Sequence, residues 1–138
     1  MNIAVRFYTR SGNTKKLADV ISAALQIQAY DVSVPLSEKA DIVFLGCSYY
    51  AFDVDRAVKD FIIHNKENIG KIVCFGSSAM MKSMKKPVTK VAKTVNVAVS
   101  SEEFHTRGQF KGFHKGRPDE DDLKKAAAFA KKISTDTI

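Results

Sequence analysis

An α/β fold built on a parallel sheet is predicted by two observations. Three apolar runs rich in β-branched and aromatic residues recur at positions 3–8, 42–47 and 72–75. The segments between them carry helical spacing: Leu17, Val20, Ile21, Ala24 and Leu25 share one face, and Val54, Val58, Phe61 and Ile62 share another. The three runs read as strands buried on both faces, and strands that alternate with helices connect by right-handed βαβ crossovers. With 138 residues the chain is expected to form one domain, 1–138, whose core needs neither disulfides nor a structural metal.

The first run, Ile3-Ala4-Val5-Arg6-Phe7-Tyr8, leads into Thr9-Arg10-Ser11-Gly12-Asn13-Thr14 and then Lys15-Lys16-Leu17-Ala18-Asp19: a strand, a hydroxyl-rich turn and a helix start. A weaker strand is expected at 31–34. The link 35–40 that follows is too short for a full helix and reads as a tight loop. The central strand at 42–47, the second helix and the strand at 72–75 come next. A third helix is expected over 87–94, with Pro87 in the first turn where its missing N–H costs little. A second weak strand is expected at 95–99 and a last helix at 118–133. Asp119, Glu120, Asp121 and Asp122 lie at the start of that helix and Lys131 and Lys132 near its end, a polarity that suits the helix dipole.

The formal charge is +7, which favours acidic partners or anionic surfaces without specifying a fold. A basic stretch of Arg107, Gln109, Lys111, His114, Lys115 and Arg117 interleaves with Phe110 and Phe113, but it matches no nucleic-acid module, so specific nucleic-acid binding is not expected. Cys47 and Cys74 lie in apolar runs and read as buried, unreactive thiols. Scattered histidines and the lack of any CxxC or HExxH spacing argue against a metal site. No apolar run approaches the roughly 18 residues of a membrane span, and the chain enters its first strand directly, so a cytoplasmic location is expected. No nucleophile stands beside a base, and no carboxylates pair for acid–base work.

In an open parallel sheet, ligands bind beyond the carboxyl ends of the strands, where the strand order reverses. Three segments should converge there: 9–14, 46–53 and 76–83. The first offers hydroxyls, backbone N–H groups and the positive end of a helix dipole to an anion. The second carries Tyr49, Tyr50 and Phe52, and the third begins Gly76-Ser77-Ser78-Ala79 before turning basic. A ligand with a phosphate and a flat aromatic group fits that combination.

These residues resemble the flavodoxin family, whose phosphate loop reads Thr/Ser-x-Thr/Ser-Gly-Asn-Thr, matched by Thr9-Arg10-Ser11-Gly12-Asn13-Thr14. Gly46-Cys47-Ser48 is similar to the start of the family's second flavin loop and Phe75-Gly76-Ser77 to the start of its third. Gly116-Arg117-Pro118-Asp119 resembles the lead-in to its last helix. The resemblance implies a three-layer flavodoxin-like fold, a five-stranded parallel sheet in order 2-1-3-4-5, and noncovalent FMN. By the same resemblance, Thr9, Ser11, Asn13 and Thr14 hold the phosphate together with the backbone amides of Arg10 and Gly12. Ser48, Tyr49, Tyr50, Ala51 and Phe52 would line the ring from one side, with Tyr49 or Tyr50 stacked on it, and Gly76, Ser77, Ser78 and Ala79 from the other. The implied activity is electron transfer between a reductase and an acceptor. The alternative is a stand-alone FMN-dependent oxidoreductase of the quinone-reductase or protoporphyrinogen-oxidase type.

Two departures from the family pattern bear on redox behaviour. Ala51 stands where short-chain flavodoxins use a glycine whose peptide flips toward the reduced ring; alanine makes that flip costlier, and the two one-electron steps are expected to lie close in potential. The third loop brings Met80, Met81 and Lys82 in place of an aromatic residue and acids, with Lys85 and Lys86 following. Positive charge there favours an anionic reduced ring and raises its potential. It also suits an acidic redox partner or a phosphorylated donor. Arg10 either pairs with the phosphate or stands exposed at the rim.

Overall fold

The computed structural model describes residues 1–50, 53–78, 83, 85–108 and 116–136, with 48–50 described through their backbone. In chain order the elements are β1 (Ile3–Phe7), α1 (Asn13–Leu25), β2 (Ala29–Asp31), β3 (Ile42–Tyr50), β4 (Asp53–Val54), α2 (Arg56–His64), β5 (Lys71–Ser77), α3 (Lys85–Thr94), β6 (Ala98–Thr106) and α4 (Glu120–Asp136). Five strands form a parallel sheet in the order β2-β1-β3-β5-β6. With β4 set aside this is the expected 2-1-3-4-5. β4 is an addition: two residues folding back antiparallel on the end of β3, Val54 against Tyr49 and Asp53 against Tyr50. A two-residue strand has no periodicity to read.

Alternation along the central strands builds two cores. Ile42 and Phe44 of β3, with Val73 and Phe75 of β5, face Leu17 and Ile21 of α1 and Ala126, Ala130 and Ile133 of α4. Val43, Leu45 and Cys47, with Ile72 and Cys74, face Val58, Phe61 and Ile62 of α2 and Val88 and Ala92 of α3. Both faces are therefore covered, as the unbroken apolar runs require. The tight loop 35–40 is held by Arg6, whose Nε donates to Val34 O (2.9 Å) and Nη2 to Pro35 O (3.2 Å), and by Asn65 Oδ1, which accepts from Leu36 N (2.9 Å).

The two weak strands sit elsewhere than expected. β2 ends where 31–34 was to begin, because Asp31 starts a turn: its Oδ1 accepts from Ser33 N (2.8 Å) and its carbonyl from Val34 N (3.0 Å). β6 starts later than 95–99. Asn96 adopts φ +59° and Val97 N returns to Ala92 O (2.9 Å), so that stretch terminates α3. The strand itself runs through Ser100, Ser101, Glu102 and Glu103, a polar sequence tolerated because β6 is the sheet's edge.

Candidate functional site

The hydroxyl-rich turn joins β1 to α1 at the carboxyl edge of the sheet. Gly12 is the N-cap of α1 with φ +90°, and no side chain caps the helix. A Cβ there would meet nothing within 4 Å, so the backbone angle, and not space, is what calls for glycine. Thr9 Oγ1 accepts from Gly12 N (2.9 Å), while Ser11 Oγ lies 3.5 Å from Asn13 N. Ser11 is exposed, whereas Asn13 and Thr14 are buried. The N-cap position of α1 is thus Gly12, and neither Ser11 nor Asn13 occupies it.

Close approach of backbone brings the other loops under it. A Cβ on Gly46, midway along β3, would lie 2.4 Å from the Phe75 ring and 3.0 Å from Thr14 Cγ2. Only glycine lets the start of α1 seat on β3 and β5 together. Thr14 Oγ1 stands 3.5 Å from Ser77 Oγ at the end of β5, and Ser77 and Ser78 are buried. Backbone pairing sets Cys47 beside Gly76 and Ser48 beside Ser77. Residues 9–14, the end of β3 and 76–78 therefore converge as expected.

A fourth segment joins them that sequence reasoning missed. Ser78 N donates to Thr106 O (3.2 Å), and a Cβ on Gly108 would lie 2.9 Å from Asn13 Nδ2 and 3.1 Å from Ser77 Oγ. The signal was a glycine two residues past a strand end, hidden because the strand had been expected to end at 99. Arg117, read as part of a basic stretch, is neutralised instead. Its guanidinium donates to the Asp122 carboxylate from Nε (2.9 Å) and Nη2 (2.6 Å), and Nη2 also reaches Thr106 Oγ1 (3.2 Å). That pairing holds Asp122 well below the usual carboxylate range. Asp122 also accepts from Asp119 N, and Asp119 Oδ1 accepts from Asp122 N, so α4 opens on a reciprocal cap.

Arg10 is exposed and pairs with the start of α2. Its Nη2 donates to Asp55 Oδ2 (2.7 Å), and Asp55 caps α2 by accepting from Ala57 N (2.9 Å). The Ala57 N–H and then Arg10 hold the Asp55 carboxyl below its ordinary value. No acidic side chain occurs in 9–14 or 76–78. The thiols of Cys47 and Cys74 are buried in the core that faces α2 and α3; burial pushes Cys47 well up and Cys74 to about 12, which disfavours the thiolate of either. On β6, burial and then Arg107 lower the His105 pKa, and His105 Nε2 and Glu103 Oε2 are buried without partners among the described residues. No group of three or more metal-ligating side chains occurs among the described residues. Ala51, Phe52, Ala79, Met80, Met81, Lys82, Phe110, Phe113 and His114 lie outside the described residues, as do the side chains of Ser48, Tyr49 and Tyr50.

A family model described as a flavodoxin domain matches residues 4–130. The chain belongs to the flavodoxin family. The uncharacterized protein MJ0298 of Methanocaldococcus jannaschii is 30% identical to it, over 88% of this chain and 89% of that one. Among solved structures, a flavodoxin from the domain Archaea superposes with a TM-score of 0.79 at 16% identity, covering 99% of this chain and 98% of the other. Oxidised flavodoxin 1 from Bacillus cereus gives 0.70 at 21% identity, covering 98% of both. At those identities the structures establish the fold, and the family match establishes the kinship.

Flavodoxin-family proteins carry a flavin, generally FMN. The donor set here fits the phosphate end of such a ligand. A helix N-terminus without a side-chain cap, three hydroxyls, an amide and no carboxylate form a surface that attracts a dianion and repels nothing of its charge. The described helices include none long and apolar enough to cross a membrane.

Proposed function

We propose that this flavodoxin-family protein binds FMN and passes electrons between a reductase and an acceptor protein. One observation carries the reading: the glycine-capped start of α1, ringed by Thr9, Ser11, Asn13 and Thr14 and seated on Gly46 and Ser77 at the carboxyl edge of the sheet. FMN, when bound, supplies the redox chemistry; the chain supplies position and field. In this reading Thr9, Ser11, Asn13 and Thr14, with the N–H group of Arg10, hold the phosphate, and the Gly12 N–H, which donates to Thr9 Oγ1, leaves that hydroxyl's proton free to point at it. The ring lies between 48–52 and 76–79, with Tyr49 or Tyr50 against it. Unpaired buried thiols favour a reducing, cytoplasmic compartment, and the net positive charge favours an acidic partner.

Reconstitution with FMN tests this directly. The apoprotein should take up FMN and become yellow, and a chain that binds none contradicts the proposal. Stopped-flow mixing of the loaded protein with NAD(P)H and a quinone, with no reductase added, separates a carrier from an oxidoreductase. Slow reduction is expected of a carrier; rapid turnover assigns the oxidoreductase reading instead.

A further inference from the structure

Positive charge gathers in two stretches of the chain, the basic run 107–117 and an earlier, longer one. Between Glu67 and Glu102 the chain contains six lysines and no acidic residue, within a protein of formal charge +7. Most of those lysines lie on or just before α3. Lys86, Lys90 and Lys93 stand at i, i+4 and i+7 of that helix, all exposed, opposite Val88 and Ala92, which are buried. They form one stripe about 10 Å long.

The other helices treat their charges differently. Lys15 pairs with Asp19 on α1, Arg56 with Asp60 on α2, and Lys124 with Glu120 and Lys125 with Asp121 on α4. On α3 no ion pair occurs among the described residues. Lys85, off the stripe, donates to the carbonyl of Ser101 (3.0 Å). Asp53 of β4, an acid within reach of the stripe, is already held by Lys59, and Lys90 adds a smaller pull on the same carboxyl. The stripe thus adjoins the exit of the second loop, and it begins directly after the third loop.

From this arrangement we infer that the exposed face of α3 is the docking surface for an acidic protein that exchanges electrons at the site, an inference that rests on the electron-transfer reading above. A nucleic acid fits the surface less well, because α3 carries no aromatic side chain to stack with bases. An anionic membrane also fits less well: among the described residues, none of the exposed large apolar side chains, Met1, Tyr30, Val34 and Ile63, lies on α3. A complementary field raises the rate of encounter more than the final affinity, and salt screens it.

The test uses the full chain loaded with FMN and, as probe, a reduced acidic plant-type ferredoxin, which gives up one electron to the bound flavin. The variant Lys86→Gln/Lys90→Gln/Lys93→Gln should lower the second-order rate of reduction about tenfold at low salt and flatten its salt dependence. Reduction by photoreduced deazariboflavin, a small neutral donor, should be unchanged. A control, Lys124→Gln/Lys125→Gln/Lys131→Gln on α4, changes the net charge equally and should leave the ferredoxin rate near wild type. Equal rates for wild type and the α3 variant overturn the surface while leaving FMN binding intact, as does an equal fall in both triple variants. Binding to phosphatidylserine vesicles or duplex DNA at 150 mM salt that the α3 variant abolishes overturns it in favour of those partners. A chain that takes up no FMN removes the electron-transfer reading, visible in the absorption spectrum before any mixing, and the surface with it.

Discussion

Replacing Asp122 by asparagine removes a charge while keeping the shape of the side chain. In the native protein this buried carboxylate accepts from Arg117 Nε (2.9 Å), Arg117 Nη2 (2.6 Å) and the backbone N–H of Asp119 (2.9 Å). A hydrogen bond to a charged group contributes about 1.5–3 kcal/mol, and breaking a buried ion pair costs about 3–5 kcal/mol. The Arg117 side chain is 37% exposed, so it recovers hydration when its partner is neutralised. The expected loss is therefore about 2 kcal/mol at pH 7, read as the change in unfolding free energy in urea. Acid should erase the difference. Arg117 lowers the folded-state pKa of Asp122, so the stability this carboxylate contributes is present above its unfolded value of about 3.9 and is lost as pH falls through the folded value. The gap between wild type and Asp122→Asn should therefore narrow steadily below about pH 4. A gap under about 0.5 kcal/mol at neutral pH, or one that stays constant down into acid, would refute the assignment of this pair as the clasp between β6 and α4.

Gly46→Ala should destabilise the apoprotein by about 1–3 kcal/mol in the same urea experiment, because its Cβ would overlap the Phe75 ring at 2.4 Å; a neutral effect would mean the ring is free to move. Cys47 and Cys74 should resist a thiol reagent at pH 8 in native protein and react at once in denaturant, since burial raises both pKa values. Fast native labelling would show that the core facing α2 and α3 opens. The Ala51 departure predicts that a dithionite titration of the FMN-loaded protein passes to the fully reduced form with little long-wavelength absorption at the midpoint. A strong band at half reduction would show that alanine does not hinder the peptide flip.

Legibility in the sequence followed burial. The central strands announce themselves because both their faces are covered, and Ile42, Val43, Phe44 and Leu45 are accordingly apolar without interruption. The turn from Thr9 to Thr14 was readable because hydroxyls and a glycine between a strand and a helix are chemically unusual. The edge of the sheet was not readable in the same way. β6 has one flank without a neighbouring strand and tolerates Ser100, Ser101, Glu102 and Glu103, so its apolar signal is diluted and its end, with Thr106 and Gly108, was missed. Arg117 shows the other limit: a charge in a basic run gives no hint that a buried carboxylate five residues later will neutralise it.

The affinities of FMN and riboflavin, measured by titration for wild type and for Ser11→Ala/Thr14→Val, test the central claim most directly. Thr14→Val keeps the methyl group that packs toward Gly46 and removes only the hydroxyl. If the turn cradles a phosphate, each lost hydrogen bond to the dianion costs about 1.5–3 kcal/mol, so with two lost FMN should bind about a hundredfold more weakly or worse while riboflavin is unaffected. Equal weakening of both ligands, or a wild type that binds riboflavin as tightly as FMN, contradicts the account.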